Sequence, residues 1–325
     1  MYTQPPQRRL TRCFVIATGS TLLLGACGAS VGSGGDDDWT PEGRVTMLVP
    51  AGAGGGSDLL ARSVGSGFED VVSGLNVNVE NYDGLPGYAQ LQKAAGDPAV
   101  MLSAESSLIT VPQLADVDFD YTSFTPIFKL GDDRAVLTVS EGSEFSSCSE
   151  VIGAAESDQV QVGVASATGI DAAVTLLTEQ ATGVEFERVP FDAGSELVTS
   201  LLSGDIDIAL LNPGEVIGQY EAGKLKGLCV FAEDRYEYDQ LKDIPTSVEE
   251  GIDVTFSQFR GIIAPADITD AERDAWVEVA EEFTESDAYD EYIEQNYLQP
   301  NAVFGEEFST YLEEMAESLS GVSEQ

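Results

Sequence analysis

Apolar and polar positions follow a recurring order along this chain: a short apolar run, a glycine-rich or polar turn, then apolar residues every three or four positions. Residues 45–49 (VTMLV) are such a run and end at Pro50. Gly52, Gly54, Gly55 and Gly56 follow, then Ser57 and Asp58, both suited to a helix N-cap. Leu60, Val64, Phe68 and Val71 then recur at helical spacing, so residues 45–72 predict strand, loop, helix. The same pattern predicts strands at 76–80, 99–103, 124–129, 135–139, 160–164, 187–191, 207–211 and 226–231, with 254–264 extended. Helices are expected at 105–114, 149–155, 195–202, 245–250, 270–283, 287–297 and 306–319, after Asp171, after Pro213 and in a short stretch through Ala95. Asp132 and Asp133 read as a turn between two strands. Strand–helix alternation predicts an α/β fold of mostly parallel sheets with helices on both faces.

The first loop admits three readings. A phosphate-binding P-loop needs a lysine after the glycines, and none is there. A dinucleotide fingerprint begins with Gly52 and Gly54 but meets Ser57 where its last glycine belongs. The third reading is a turn without a ligand. A later segment echoes the first: strand 160–164, then Ser166, Ala167, Thr168 and Gly169, with Asp171 in the opening turn of a helix. The first N–H groups of a helix lack internal acceptors and carry the positive end of its dipole, so they bind anions without Lys or Arg. Two such termini facing each other suit a small carboxylate. At Gly55 a β-branched side chain is expected to block that approach, and Asp58 is expected to cap its helix.

The N-terminus changes the setting. Arg8, Arg9 and Arg12 precede an apolar stretch too short to span a bilayer, which closes on Leu24-Gly25-Ala26-Cys27. That ending resembles a bacterial lipobox, which implies a signal peptide at 1–27 and a lipid anchor on Cys27. Residues 28–43 then read as a flexible acidic tether. Arg8-Arg9 also fits twin-arginine export, so that route and the general one both stand. The chain holds 15 Lys+Arg against 57 Asp+Glu, a formal net charge of −42 over 325 residues, and no histidine. Nucleic acid is therefore a poor partner, and the dispersed acids suit a solvated surface in high salt rather than a metal site. His-based catalysis is excluded; neither catalysis, a metal nor a cofactor is expected. Cys148 and Cys229 can pair outside the cell, or Cys229 can sit in the core as a free thiol; both readings remain open.

Taken in order, Val49-Pro50 with Gly54-Gly55-Gly56-Ser57-Asp58, Val79-Glu80-Asn81 with Gly84 and Gly87, Phe124-Thr125-Pro126-Ile127, Val189-Pro190-Phe191 with Gly194, Leu201-Leu202-Ser203-Gly204 with Asp207, Asp243-Ile244-Pro245-Thr246, and Gly261 with Ala264-Pro265 form one series. It resembles the Bug-type solute-binding proteins of tripartite tricarboxylate transporters, from Arg44 to the C-terminus. The resemblance implies a two-lobed, type II-like periplasmic-binding-protein fold with two crossover strands. Lobe I would hold 44–140 plus 256–325, and lobe II 141–255. It also implies a monomeric, extracytoplasmic, non-enzymatic receptor that passes a di- or tricarboxylate, or a related organic acid, to a permease with large and small subunits. The ligand carboxylate would meet Gly55, Gly56, Ser57 and Asp58 on one loop and Ser166, Ala167, Thr168 and Gly169 on the other. Ser103, Ser106, Phe191, Asp192, Phe259 and Arg260 would complete the pocket.

The chain departs from the family's pattern in places. Tyr82-Asp83-Gly84-Leu85-Pro86-Gly87 stands where Arg-Pro-Gly-Ala-Gly-Gly is usual, and Glu105 and Asp192 stand in supposed pocket loops. Two alternatives follow: a receptor for a zwitterionic or cationic ligand such as an amino acid, or a ligand sensor for a signalling kinase on the same fold.

Overall fold

The computed structural model describes residues 39–82, 84–165, 169–191 and 194–319. Cys27 and its lipobox, Ser166, Ala167, Thr168 and Asp192 lie outside them.

The chain starts with β1 (Arg44–Val49), α1 (Gly56–Val71), β2 (Asn76–Asn81), α2 (Leu85–Lys93), β3 (Val100–Glu105) and α3 (Ser107–Leu114), then enters β4 (Thr125–Arg134). β1 pairs in parallel with β2 and β3, as two βαβ units require. β4 runs straight through the expected Asp132-Asp133 turn. The two acids are strand residues because neighbours satisfy both. The Asp132 carboxylate meets the fully buried Lys129 ammonium at 2.8 Å and accepts from Asn301 Nδ2 at 2.7 Å, while Asp133 faces the other way, into the site described below. Burial pulls the Lys129 pKa down, and Asp132 opposes it.

A single residue, Ala135, separates β4 from β5 (Val136–Ser140). Then come α4 (Cys148–Ala155), β6 (Gln161–Val164), α5 (Ile170–Thr182), β7 (Glu187–Pro190), α6 (Gly194–Ser203), β8 (Ile208–Leu211), α7 (Pro213–Glu221) and β9 (Leu225–Val230). These strands form a second sheet in the order β7-β6-β8-β5-β9. Val136–Ser140, expected at the end of lobe I, is thus hydrogen-bonded between β8 and β9 in the second sheet. The chain changes sheets at Ala135, where one strand's worth of pairing ends and the next begins. No helix forms at 245–250; Thr246 instead makes an isolated parallel bridge to Val230, and turns follow. Cys148 and Cys229 are disulfide-bonded, which ties the start of α4 to β9.

The return strand β10 (Ser257–Ala264) inserts antiparallel between β3 and β4. It is followed by α8 (Asp270–Thr284), α9 (Asp287–Gln295), β11 (Gln299–Phe304) and α10 (Gly305–Leu319). The first sheet therefore reads β11-β4-β10-β3-β1-β2. Each sheet keeps a three-stranded parallel segment, and one strand next to the crossing in each, β10 in the first and β5 in the second, runs antiparallel to it. Phe68 of α1, Trp276 and Phe283 of α8 and Tyr292 of α9 cover one face of the first sheet. Leu91 of α2, Leu108 of α3 and Phe308 and Leu312 of α10 cover the other. In the second sheet Val151 and Val174 lie on one side, and Leu197, Leu201 and Val216 on the other. Both sheets are thus buried on both faces, which accounts for the near-continuous apolar runs of their central strands.

Candidate functional site

Two helix N-termini open on one cavity. α1 has Gly55 as its N-cap, at φ −84° and ψ 173°. α5 has Gly169 in nearly the same conformation, at φ −83° and ψ 176°. Neither cap uses a side-chain hydrogen bond. In each case an acid of the first turn folds back onto the loop instead: Asp58 accepts the Gly54 N–H at 2.9 Å, and Asp171 accepts the Ala165 N–H at 2.5 Å. The echo read in the sequence is therefore an echo in structure.

The cavity has a volume of about 260 Å³ and is lined from the first sheet by Ala51, Gly56, Ser57, Glu105, Gln258 and Arg260. From the second it is lined by Ala165, Gly169, Ile170, Asp171, Gly194, Leu197, Leu210, Leu211, Asn212 and Glu215. Many of these positions lie at or just beyond the C-terminal ends of β1, β3, β6 and β8, where open α/β sheets bind ligands, while Gln258 and Arg260 come from β10 and Gly194 and Leu197 from α6.

Of the sequence-predicted residues, Gly56, Ser57, Gly169 and Arg260 line the cavity. Gly55 is one position behind, as the cap. Asp58 is turned away: Arg62 donates to it twice at 2.9 Å, and Asn81 Nδ2 once at 2.9 Å. The Arg62 guanidinium, and after it the Gly54 and Asn81 donors, hold the Asp58 pKa at about 2 against its burial. Ser103 is fully buried on β3, with its hydroxyl 3.5 Å from the Leu48 carbonyl. Ser106 is buried at the start of α3, and Phe191 packs over Gly163. Phe259 is fully buried against Phe308 and Tyr311. Strand alternation explains this last placement: successive side chains of β10 point to opposite faces, so Phe259 enters the core while Gln258 and Arg260 face the cavity.

Arg260 is not waiting for a ligand. Its Nη1 donates to Glu105 Oε2 at 2.6 Å and its Nη2 to Asp133 Oδ2 at 2.7 Å. Register builds this cluster, because Arg260 is directly opposite Glu105 and Gln258 directly opposite Asp133. Glu105 Oε2 also accepts from Ser57 Oγ at 3.0 Å and Gln258 Nε2 at 2.7 Å. Asp133 Oδ1 accepts from Asn212 Nδ2 at 2.6 Å, which links the two sheets. Burial opposes the Arg260 charge, but Asp133 and Glu105 outweigh it and keep its pKa above the ordinary arginine value. Burial pushes Asp133 upward, and Arg260 and Asn212 pull it back. Asp133, Asn212, Glu215 and Gln258 were missed by sequence reasoning. Gln258 was findable, two positions from Arg260 in an expected strand, and so was Asn212, at the end of an apolar strand and before a helix-opening proline.

The glycines of the first loop divide the work. Positive φ is used at Gly54 (86°), not at Gly55. A Cβ at Gly55 would meet only the Gly52 carbonyl, at 3.7 Å. A Cβ at Gly56 would lie 2.9 Å from Arg260 Nη2, and two carboxylates prevent that guanidinium from yielding. Gly56→Ala is therefore expected to cost about 1–3 kcal/mol and to disturb the cavity wall. Gly55→Ala should melt like the parent, and a matched pair of melting curves checks both.

Asp58→Asn turns an amide NH₂ towards donors. We expect it to lower the free energy of unfolding by about 1–3 kcal/mol at neutral pH. Because the folded-state pKa is depressed from 3.8 to about 2, the stabilisation by Asp58 is present above pH 4 and is lost as pH falls through about 2. The gap between parent and variant in urea titrations should close over that window. A gap independent of pH would mean that the carboxylate charge contributes nothing.

A family model described as the tripartite tricarboxylate transporter family receptor matches residues 60–318. Protein BugT of Bordetella pertussis is 25% identical over 260 residues, covering 75% of this chain and 79% of BugT. The fold matches that of Rhodopseudomonas palustris Rpa4515 with adipate, with a TM-score of 0.77 and 21% identity over 88% of this chain and 97% of that one. It also matches MatC from the same organism with bound malate, with a TM-score of 0.73 and 19% identity over 86% of this chain and 99% of that one.

Proposed function

Because the chain belongs to the tripartite tricarboxylate transporter receptor family, we propose that this solute-binding protein captures a small organic acid in the cavity between its two sheets and delivers it to a tripartite permease. The observation that carries the reading is the pair of glycine-capped helix N-termini, α1 and α5, opening on that cavity. Each presents N–H groups without intrahelical acceptors to a bound carboxylate. Closure of the two sheet units about their crossovers would shed water and strengthen those contacts. The Ser57 hydroxyl donates to Glu105 Oε2, an oxygen that Arg260 and Gln258 also bind and so make a weak base.

The chain acts outside the cytoplasm, held to the membrane through Cys27. Support comes from the lipobox and the acidic tether after it. Cys27→Ser should move the protein from the membrane to the soluble fraction; a variant that stays with the membrane removes the anchor from this scheme. The receptor reading is tested by melting the protein in molar salt against a panel of organic acids and amino acids, with mass spectrometry of any co-purified ligand. Stabilisation by at least one carboxylate is expected. A melting temperature indifferent to the whole panel, with no co-purified acid, would refute it.

A further inference from the structure

In the cavity wall the protein supplies its own anion. An incoming ligand carboxylate on the first-sheet side would seek, besides the N–H groups that open α1, the side chains of Ser57, Gln258 and Arg260, which face the cavity there. All three already donate to one oxygen, Oε2 of Glu105, and Oε1 receives none of these bonds. Arg260 is the only cationic residue among the described cavity-lining residues, and Asp133 takes its other arm. The side-chain donors of that wall are thus occupied from within.

Charge accumulates beyond that point. Glu215, in the first turn of α7, lines the cavity from the second sheet. Among the described residues its side chain has neither a hydrogen bond nor an ion pair; its backbone N–H donates to the Asn212 carbonyl. Crowding by protein raises its pKa, with Asp133, Asp171 and Glu105 adding to the effect and Arg260 opposing it. A second ligand carboxylate here would meet Glu105 and Glu215 with no free cation among the described lining residues to offset them. A ligand cation would meet two acceptors that still lack partners, Glu105 Oε1 and the Glu215 carboxylate. Ile170, Leu197 and Leu210 supply an apolar wall for an aliphatic stem between the two ends.

We propose that the ligand is a zwitterion: its carboxylate rests on the N-terminus of α5, and an ammonium or amidinium group lies against Glu105 and Glu215. This rests on the receptor reading above and names the class of solute that the cavity selects. The gain comes as much from rejection as from attraction, since like charges along the wall disfavour the dicarboxylate that would otherwise fit.

The test uses matched ligands in which a distal carboxylate is exchanged for an ammonium: glutarate against 4-aminobutanoate, adipate against 5-aminopentanoate, and 2-aminoadipate against ornithine. Each is titrated calorimetrically into the full chain. The amino member of at least one pair should bind about tenfold or more tightly than its partner. Glu215→Gln should erase most of that preference. The Glu215 side chain holds no bond among the described residues, so this variant should fold. Glu105→Gln should shift preference further towards the dicarboxylate, since it releases Arg260. Tighter binding of the dicarboxylates by the parent overturns the zwitterion and leaves the receptor intact. A preference unchanged in Glu215→Gln also overturns it. Failure of every ligand to bind the parent counts against both readings.

Discussion

Asp133→Ala should lower the free energy of unfolding by about 3–5 kcal/mol, the cost of breaking a buried ion pair from one side. Asp133 and Arg260 are both buried, with side-chain exposures of 5% and 10%. Removing the carboxylate takes the acceptor from Arg260 Nη2 and from Asn212 Nδ2 together. Glu105 alone then neutralises the guanidinium. Urea unfolding at neutral pH provides the measurement. Asp133→Asn, which keeps the size and one acceptor, should cost less than the alanine. If alanine costs under about 1 kcal/mol, solvent reaches Arg260 freely and the cluster is not a structural element.

Cys148→Ala/Cys229→Ala should cost about 4 kcal/mol. The two sulfurs close a loop with a sequence separation of 81, and the chain-entropy estimate for a loop of that order is about 4–5 kcal/mol. Both cysteines are fully buried, so two small cavities add to the loss. The parent under reductant should approach the double variant once unfolding exposes the bond, and the variant should ignore reductant. A variant that melts within about 1 kcal/mol of the parent would mean that α4 and β9 hold the second sheet together without the tether. The sequence left this pair open, since apolar burial and crosslinking both suit a cysteine in LKGLCVF. Only the 5.9 Å Cα–Cα approach decides between them.

Much of the fold was readable from local pattern. Central strands such as β1 and β8 are apolar runs with a glycine, asparagine or proline turn after them, and their limits moved by only a residue or two. β11 was missed because Gln299-Pro300-Asn301 is polar and carries a proline, which an edge strand tolerates and a pattern search penalises. The 132–133 turn was misread because Asp is a turn former by local preference, whereas here tertiary partners override that preference. The site divided along similar lines. The two glycine caps follow from composition and order alone. The occupation of Arg260 does not, because Glu105 and Asp133 come together only through the register of three strands, β3, β10 and β4.

Ala135 is the sole residue between β4 and β5 and is fully buried. Its carbonyl accepts from the Phe231 N–H, so the outgoing and returning segments are pinned to each other there. The two sheet units therefore resemble two arms on one pivot. Displacement in a rotation grows with distance from the axis, and Asp133 stands two residues from Ala135. The Asp133–Asn212 bond lies close to the bearing, where a swing wide enough to admit a solute at the rim moves the atoms least. It can remain made while the mouth opens, acting as a bushing that keeps the arms aligned rather than as a clasp that must be broken for each passenger.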